Sequence, residues 1–230
     1  MSKNKTNQIR NVEKTNSYSG CGETYNMRIL IITHPRSGGM SLMKFISHEL
    51  NYEFYHEPFF GNDDGLSDED INTKLLVDDN IVVKDFPFRI EERGYDLLDV
   101  MSKFDKVIIH YRDNHEDVAL SLSYFYSTSK GNKMHLPYKI TDEWIKENED
   151  VIRKMTDETK SMFYSIQNIP CDVCLRTTYD GIYNDKSDID KLLKFLNIVD
   201  PRYLDILHNR HRLQNGDIGM DHVNVKPKLI

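Results

Sequence analysis

The sequence predicts an α/β fold, with three layers, α/β/α, around a central and mostly parallel sheet. Three observations predict it. Short β-branched runs, "RILIIT", "NIVVKDF" and "KVIIHY", are bounded by polar residues and read as strands buried on both faces. Segments of helical spacing separate these runs, so strand and helix alternate along the chain. The first run breaks into "THPRSGGMSL" at residues 33–42 and resumes as the apolar "LMKFI", which is the make-up of a strand, a tight loop and a helix start.

Taken in order, the polar residues 1–26 lack an apolar core and read as a flexible tail rather than a signal peptide; residues 27–230 read as one domain. "RILIIT" opens the sheet and the glycine loop leads into the first helix. "NYEFYH" is a strand-like, aromatic-rich stretch, and "GNDDGLSDED" is an acidic loop running into a short helix. "NIVVKDF" is a strand, "GYDLLDVMSKF" a helix, "KVIIHY" a strand and "HEDVALSLSYFYS" a helix. "STSKGNKMHLPYK" is a loop, and "TDEWIKENEDVIRKMTDETKSMFYSI" is one long amphipathic helix, capped by Thr141 with Asp142 and Glu143 in its first turn. "DVCLRT" is a strand and "SDIDKLLKFLNI" a short capped helix.

A chain of 230 residues can bury the core of such a domain. A formal net charge of -7 argues against a general nucleic-acid binder. No apolar stretch approaches the roughly 20 residues that span a membrane, so the expectation is a soluble, cytoplasmic protein without a membrane or nucleic-acid partner. The cysteines are Cys21, Cys171 and Cys174. No second pair completes a zinc site with "CDVC", and its setting in a strand favours a structural over a redox or metal role.

Ligands of open parallel sheets bind at the carboxyl ends of the strands, where the glycine loop lies. Small residues let a backbone approach an anion, a helix N-terminus favours negative charge, and Arg36 adds a planar donor fork. The loop lacks the Gly-x-x-x-x-Gly-Lys-Ser/Thr order, because its cation precedes the glycines and no lysine follows them. A kinase using that lysine and Mg²⁺ is thereby disfavoured.

"PRSGGMSL" resembles the 5′-phosphosulfate loop of sulfotransferases that use 3′-phosphoadenosine 5′-phosphosulfate (PAPS). "EPF" from Glu57 resembles a Glu-Pro segment of the carbohydrate-type branch, and "VIIHYRDNHEDVALS" the 3′-phosphate motif. "LRTTYDGIYNDKSDIDKLLKFLNI" and "RLQNGDIGMDH" resemble two later segments, in the same order. The resemblance implies a P-loop-nucleotide-hydrolase-like fold and sulfuryl transfer from PAPS, leaving adenosine 3′,5′-bisphosphate (PAP), to a hydroxyl or amine of a small-molecule or carbohydrate acceptor. It implies no metal. The alternatives are a nucleotide or nucleoside kinase, or a non-catalytic nucleotide-binding protein of the same fold.

By the resemblance, Pro35, Arg36, Ser37, Gly38, Gly39, Met40 and Ser41 hold the 5′-phosphosulfate, with Arg36 on the bridging oxygen. Gly39 and Met40 stand where the family has two hydroxyl residues, so Ser41 is expected to take their part. Arg112 and Ser121 hold the 3′-phosphate and Tyr179 contacts the adenine. Arg212, or Arg210, and Gly216 belong to the last loop. Glu57 is the expected general base, its pKa raised by Phe59 and Phe60 and its backbone held extended by Pro58. His56, Asp85 and His34 are the other candidates, and Lys84 is expected to meet the sulfuryl oxygens. Residues 56–65 and 127–139 are expected to rim the acceptor pocket, where Phe59, Phe60, Tyr124 and Tyr126 could stack; for Tyr124 and Phe125 core packing is the preferred reading.

Overall fold

The computed structural model describes residues 26–60, 65–128, 140–205 and 207. Residues 1–25 of the expected tail, residues 61–64 and 129–139 of the two proposed rim loops, and Arg210, Arg212 and Gly216 lie outside the described residues.

The elements are β1 (Arg28–Thr33), α1 (Gly39–Leu50), β2 (Glu53–His56), α2 (Asp68–Asp70) running into a π-helical turn (Ile71–Leu75), β3 (Ile81–Asp85), α3 (Pro87–Glu92) and α4 (Leu97–Met101). Then follow β4 (Lys106–Tyr111), α5 (His115–Thr128), α6 (Asp142–Glu147), α7 (Glu149–Gln167), β5 (Leu175–Thr178), α8 (Tyr179–Tyr183) and α9 (Ile189–Phe195). The sheet is wholly parallel, in the order β2-β3-β1-β4-β5. The chain moves to one side of β1 for β2 and β3, then to the other for β4 and β5. The carboxyl end of β1 is therefore a switch point, the place where such sheets open a crevice.

Alternation along the strands feeds two cores. Ile29, Ile31, Val82 and Ile108 pack with Leu42, Phe45 and Ile46 of α1 and Leu192 of α9. Leu30, Ile32, Val83 and Ile109 face the other way, onto Ile71, Ile90, Val100 and Ile166. Burial on both faces is why these strands read as continuous apolar runs.

Four local readings need correction. The long helix is two, α6 and α7, because Asn148 turns back and its side-chain amide donates to the Trp144 carbonyl at 2.8 Å. The Thr141 cap holds, its hydroxyl accepting from the Trp144 N–H at 3.2 Å. β5 begins at Leu175, so Cys171 and Cys174 sit in the turn before the strand, joined in a disulfide and half-buried against the second core. Helix α3 was not expected; Pro87 starts it, its ring suiting the first helical turn where no N–H is needed. Tyr124 and Phe125 are half-buried, Tyr124 edge-on to Trp144 with centroids 5.2 Å apart, while Tyr126 is exposed.

Among the described residues no helix is long and apolar enough to cross a membrane, and no group of His, Cys, Asp and Glu is placed to hold a metal ion.

Candidate active site

The glycine loop rests on a buried polar shelf. Strand register sets Thr33, His110 and Thr177 side by side across β1, β4 and β5. All three are buried, as is Ser37 above them. The Thr177 hydroxyl donates to His110 Nδ1 at 2.9 Å, and His110 Nε2–H donates to the Ser37 carbonyl at 2.8 Å. Both ring nitrogens are thus used in the neutral form, and burial lowers the His110 pKa to about 4. The Ser37 hydroxyl donates to the His34 carbonyl at 2.8 Å and is also hydrogen-bonded to Thr33. The Tyr183 hydroxyl donates to the Gly38 carbonyl at 2.7 Å. In a trans peptide the next N–H points opposite to the carbonyl. The Gly38 and Gly39 N–H groups therefore point away from the His110 and Tyr183 side chains that hold the preceding carbonyls, at the start of α1, where a helix dipole favours negative charge.

The glycines are required by shape. Gly38 has φ 85, and a Cβ there would lie 2.6 Å from Tyr183 Cε2. A Cβ on Gly39 would lie 2.9 Å from Thr33 Cγ2 and 3.4 Å from Lys84 Cε. Lys84 thus reaches the loop from the neighbouring strand, so a cation stands beside a loop that has no lysine of its own.

Arg36 itself is left-handed, φ 63. Its Nε–H donates to the Ser121 hydroxyl on α5 at 2.8 Å. Burial and the charge of Arg112 lower its pKa. Arg112 lies with its guanidinium 4.4 Å from the centroid of Tyr179, and its Nη2 is 2.6 Å from Asp117 Oδ2. Its backbone N–H donates to His34 Nε2 at 2.9 Å, while His34 Nδ1–H donates to the Pro35 carbonyl at 2.8 Å. His34 is a buried staple between the loop and β4, not an open base, and burial lowers its pKa to about 4. The structure brings Arg36, Arg112, Ser121 and Tyr179 together. Met40 and Ser41 lie in the first turn of α1, Met40 half-buried and Ser41 buried.

On the other side of the loop Glu57 stands among cations. Oε1 is 2.6 Å from Lys84 Nζ and 3.1 Å from His56 Nε2, and Oε2 is paired with Arg89. Burial pushes the Glu57 pKa up, but His56 and Lys84 outweigh it and hold the carboxylate well below its usual range. The expected apolar elevation does not occur; Phe59 turns into the core instead. Nor is the backbone extended, since Glu57 has φ 55 despite preceding proline. Lys84 is buried, and burial lowers its pKa to about 8 against the opposing charge of Glu57. Asp85 accepts the N–H groups of Phe59 and Phe86 at 2.8 and 2.7 Å, and burial raises its pKa to about 6. Those bonds occupy both of its oxygens and make it a turn-holding residue.

A cleft of about 200 Å³ opens beside the loop, lined by Thr33, His34, Pro87, Phe88, Met162 and Ile166 among others. Sequence reasoning missed the walls from α3 and α7, the shelf histidine His110 and the cation Arg89.

No family model matches the sequence, and no curated protein matches it. In shape the chain is similar to a mouse sulfotransferase, SULT7A1, complexed with PAP: TM-score 0.45 and 15% identity, over 85% of this chain and 67% of that one. It is similar to a shikimate kinase from Bacteroides thetaiotaomicron at TM-score 0.43 and 15% identity, over 76% of this chain and 100% of that one. The sulfotransferase domain of the curacin biosynthetic pathway gives TM-score 0.41 and 13% identity, over 78% and 76%. At these values the likeness describes the plan of sheet and helices and carries nothing about the reaction.

Proposed function

We propose that the chain transfers the sulfuryl group of PAPS to a hydroxyl or amine of a small-molecule or carbohydrate acceptor. The observation that supports this most is the presence of two cationic sites on either side of one glycine loop. Lys84 lies against Gly39, while Arg112 lies over Tyr179 across the loop, near the Arg36–Ser121 contact. PAPS carries two separate anionic groups and needs two such sites.

In this reading residues 35–41 and Lys84 take the 5′-phosphosulfate. Arg112 and Ser121 take the 3′-phosphate by charge-assisted hydrogen bonds. Arg112 then exchanges Asp117 for phosphate; Asp117 is half-exposed, so the pair given up is a weak one. Tyr179 backs the adenine side, and Arg212 and Gly216 close the 3′-phosphate site by the resemblance. The acceptor oxygen attacks sulfur in line. The bond from sulfur to the bridging oxygen breaks, its electron pair leaves with PAP, and the acceptor proton passes to Glu57. Arg36 and Lys84 stabilise the charge that grows on the bridging oxygen.

The test is incubation with PAPS and a panel of hydroxyl and amine acceptors. Acceptor-dependent release of PAP supports the reading. Magnesium-dependent consumption of ATP with no PAP release transfers it to the nucleotide-kinase alternative.

A further inference from the structure

Glu57 is strained. It carries a Cβ, precedes Pro58 and still has φ 55. Strain of this kind persists where the surroundings hold it. Here its carboxylate is held by Lys84, His56 and Arg89.

Sulfuryl transfer as set out above makes no use of Arg89. Its side chain is only 17% exposed. Its guanidinium lies 4.2 Å from the centroid of Phe60, 4.6 Å from Phe86 and 5.8 Å from Phe88. Rings against its faces fix the plane of the fork and leave its edge for a planar anion. Among the described residues the group on that edge is the Glu57 carboxylate. Two carboxylates, Glu57 and Asp85, stand with the cations Lys84 and Arg89; Asp85 is committed to the Phe59 and Phe86 N–H groups, so Glu57 is the one whose place on Arg89 an incoming carboxylate can take. Phe60, 37% exposed, offers an apolar face next to it.

We propose that Arg89 anchors an anionic group of the acceptor, a carboxylate beside an aromatic ring, and that Glu57 fills this anchor as a stand-in until the acceptor arrives. For the reaction this rests on the sulfuryl reading; for the site it does not. The donor's phosphosulfate draws Lys84 and the acceptor's carboxylate draws Arg89. Glu57 then gives up its pairs with Lys84 and Arg89, keeps His56, and has oxygens free to take the acceptor's proton. The base is completed only when both substrates are bound, which disfavours transfer to water.

The experiment compares para-hydroxybenzoate with para-hydroxybenzamide, equal in ring and hydroxyl and different in charge. Binding to the full chain with PAP present is followed by NMR titration. The acid binds, and the amide binds about 10- to 100-fold more weakly. Arg89→Gln removes the preference while PAP affinity is unchanged, whatever the loss of the Glu57 pair does to the melting temperature, and Arg89→Lys restores part of the preference. Equal binding of acid and amide, no binding of the acid, or a preference that survives Arg89→Gln overturns the proposal. Should Arg89→Gln not fold, the acid-to-amide ratio in wild type and Arg89→Lys decides the same question. If PAP fails to bind while the acid still binds through Arg89, the sulfuryl reading falls and the anchor stands.

Discussion

Replacing Lys84 by methionine separates the two things this residue does. Its ammonium is buried, 2.6 Å from Glu57 and against the glycine loop. Two unit charges about 4 Å apart at an effective dielectric near 20 interact by about 4 kcal/mol. Deleting one donor aimed at developing charge lowers turnover by about 100- to 1,000-fold. Folding should respond far less. Methionine has a similar length and no charge to desolvate, and Glu57 keeps Arg89 and His56, so the net change is within about 1 kcal/mol. The pH dependence gives a second handle. The folded Lys84 pKa, about 8, lies below its ordinary value of 10.5. Between these values the unfolded chain binds more protons, so wild-type stability rises with pH across that window. Lys84→Met lacks this rise. Urea unfolding at neutral and alkaline pH, with the transfer rate measured beside it, tests both parts. A loss of more than about 3 kcal/mol in stability at an unchanged rate would make Lys84 a structural counter-ion and refute the reasoning.

Three further outcomes follow from the same geometry. Gly38→Ala drives a Cβ toward Tyr183 at a left-handed position, so it should cost about 2–4 kcal/mol by thermal unfolding, against about 1 kcal/mol for Tyr183→Phe. His110 and His34 have folded pKa values of about 4, below the ordinary 6.5, so stability falls as pH drops through that interval; His110→Leu should remove about half of that slope, measured by denaturant titration, and should weaken PAP binding by loosening the Ser37 carbonyl. Glu57→Gln should leave PAP affinity nearly intact and lower turnover by about 100-fold or more, read by PAP release.

The sheet was legible because burial on both faces leaves β-branched runs such as "RILIIT" and "KVIIHY", and the loop because Pro, Gly and Ser cluster directly after one of them. The break at Asn148 was not, since the apolar spacing of α6 and α7 runs on without a glycine or proline to mark it. His110 was hidden for a related reason. A polar residue inside "VIIHY" shows its purpose only once the parallel register sets Thr33 and Thr177 beside it. The surroundings of Glu57 were misjudged because the two adjacent phenylalanines were visible in sequence. Lys84 and Arg89, brought from β3 and α3, were 27 and 32 residues away. Electrostatics of that kind belongs to the tertiary fold and leaves no local pattern.

The central claim is that this chain holds a nucleotide by two separate anionic groups. Calorimetric titration of PAP against adenosine monophosphate tests it most directly, because the two differ in the 3′-phosphate. PAP should bind about 10- to 100-fold more tightly, and Arg112→Ala should abolish most of the difference. Equal affinities, or a preference for PAP that Arg112→Ala leaves intact, would contradict it.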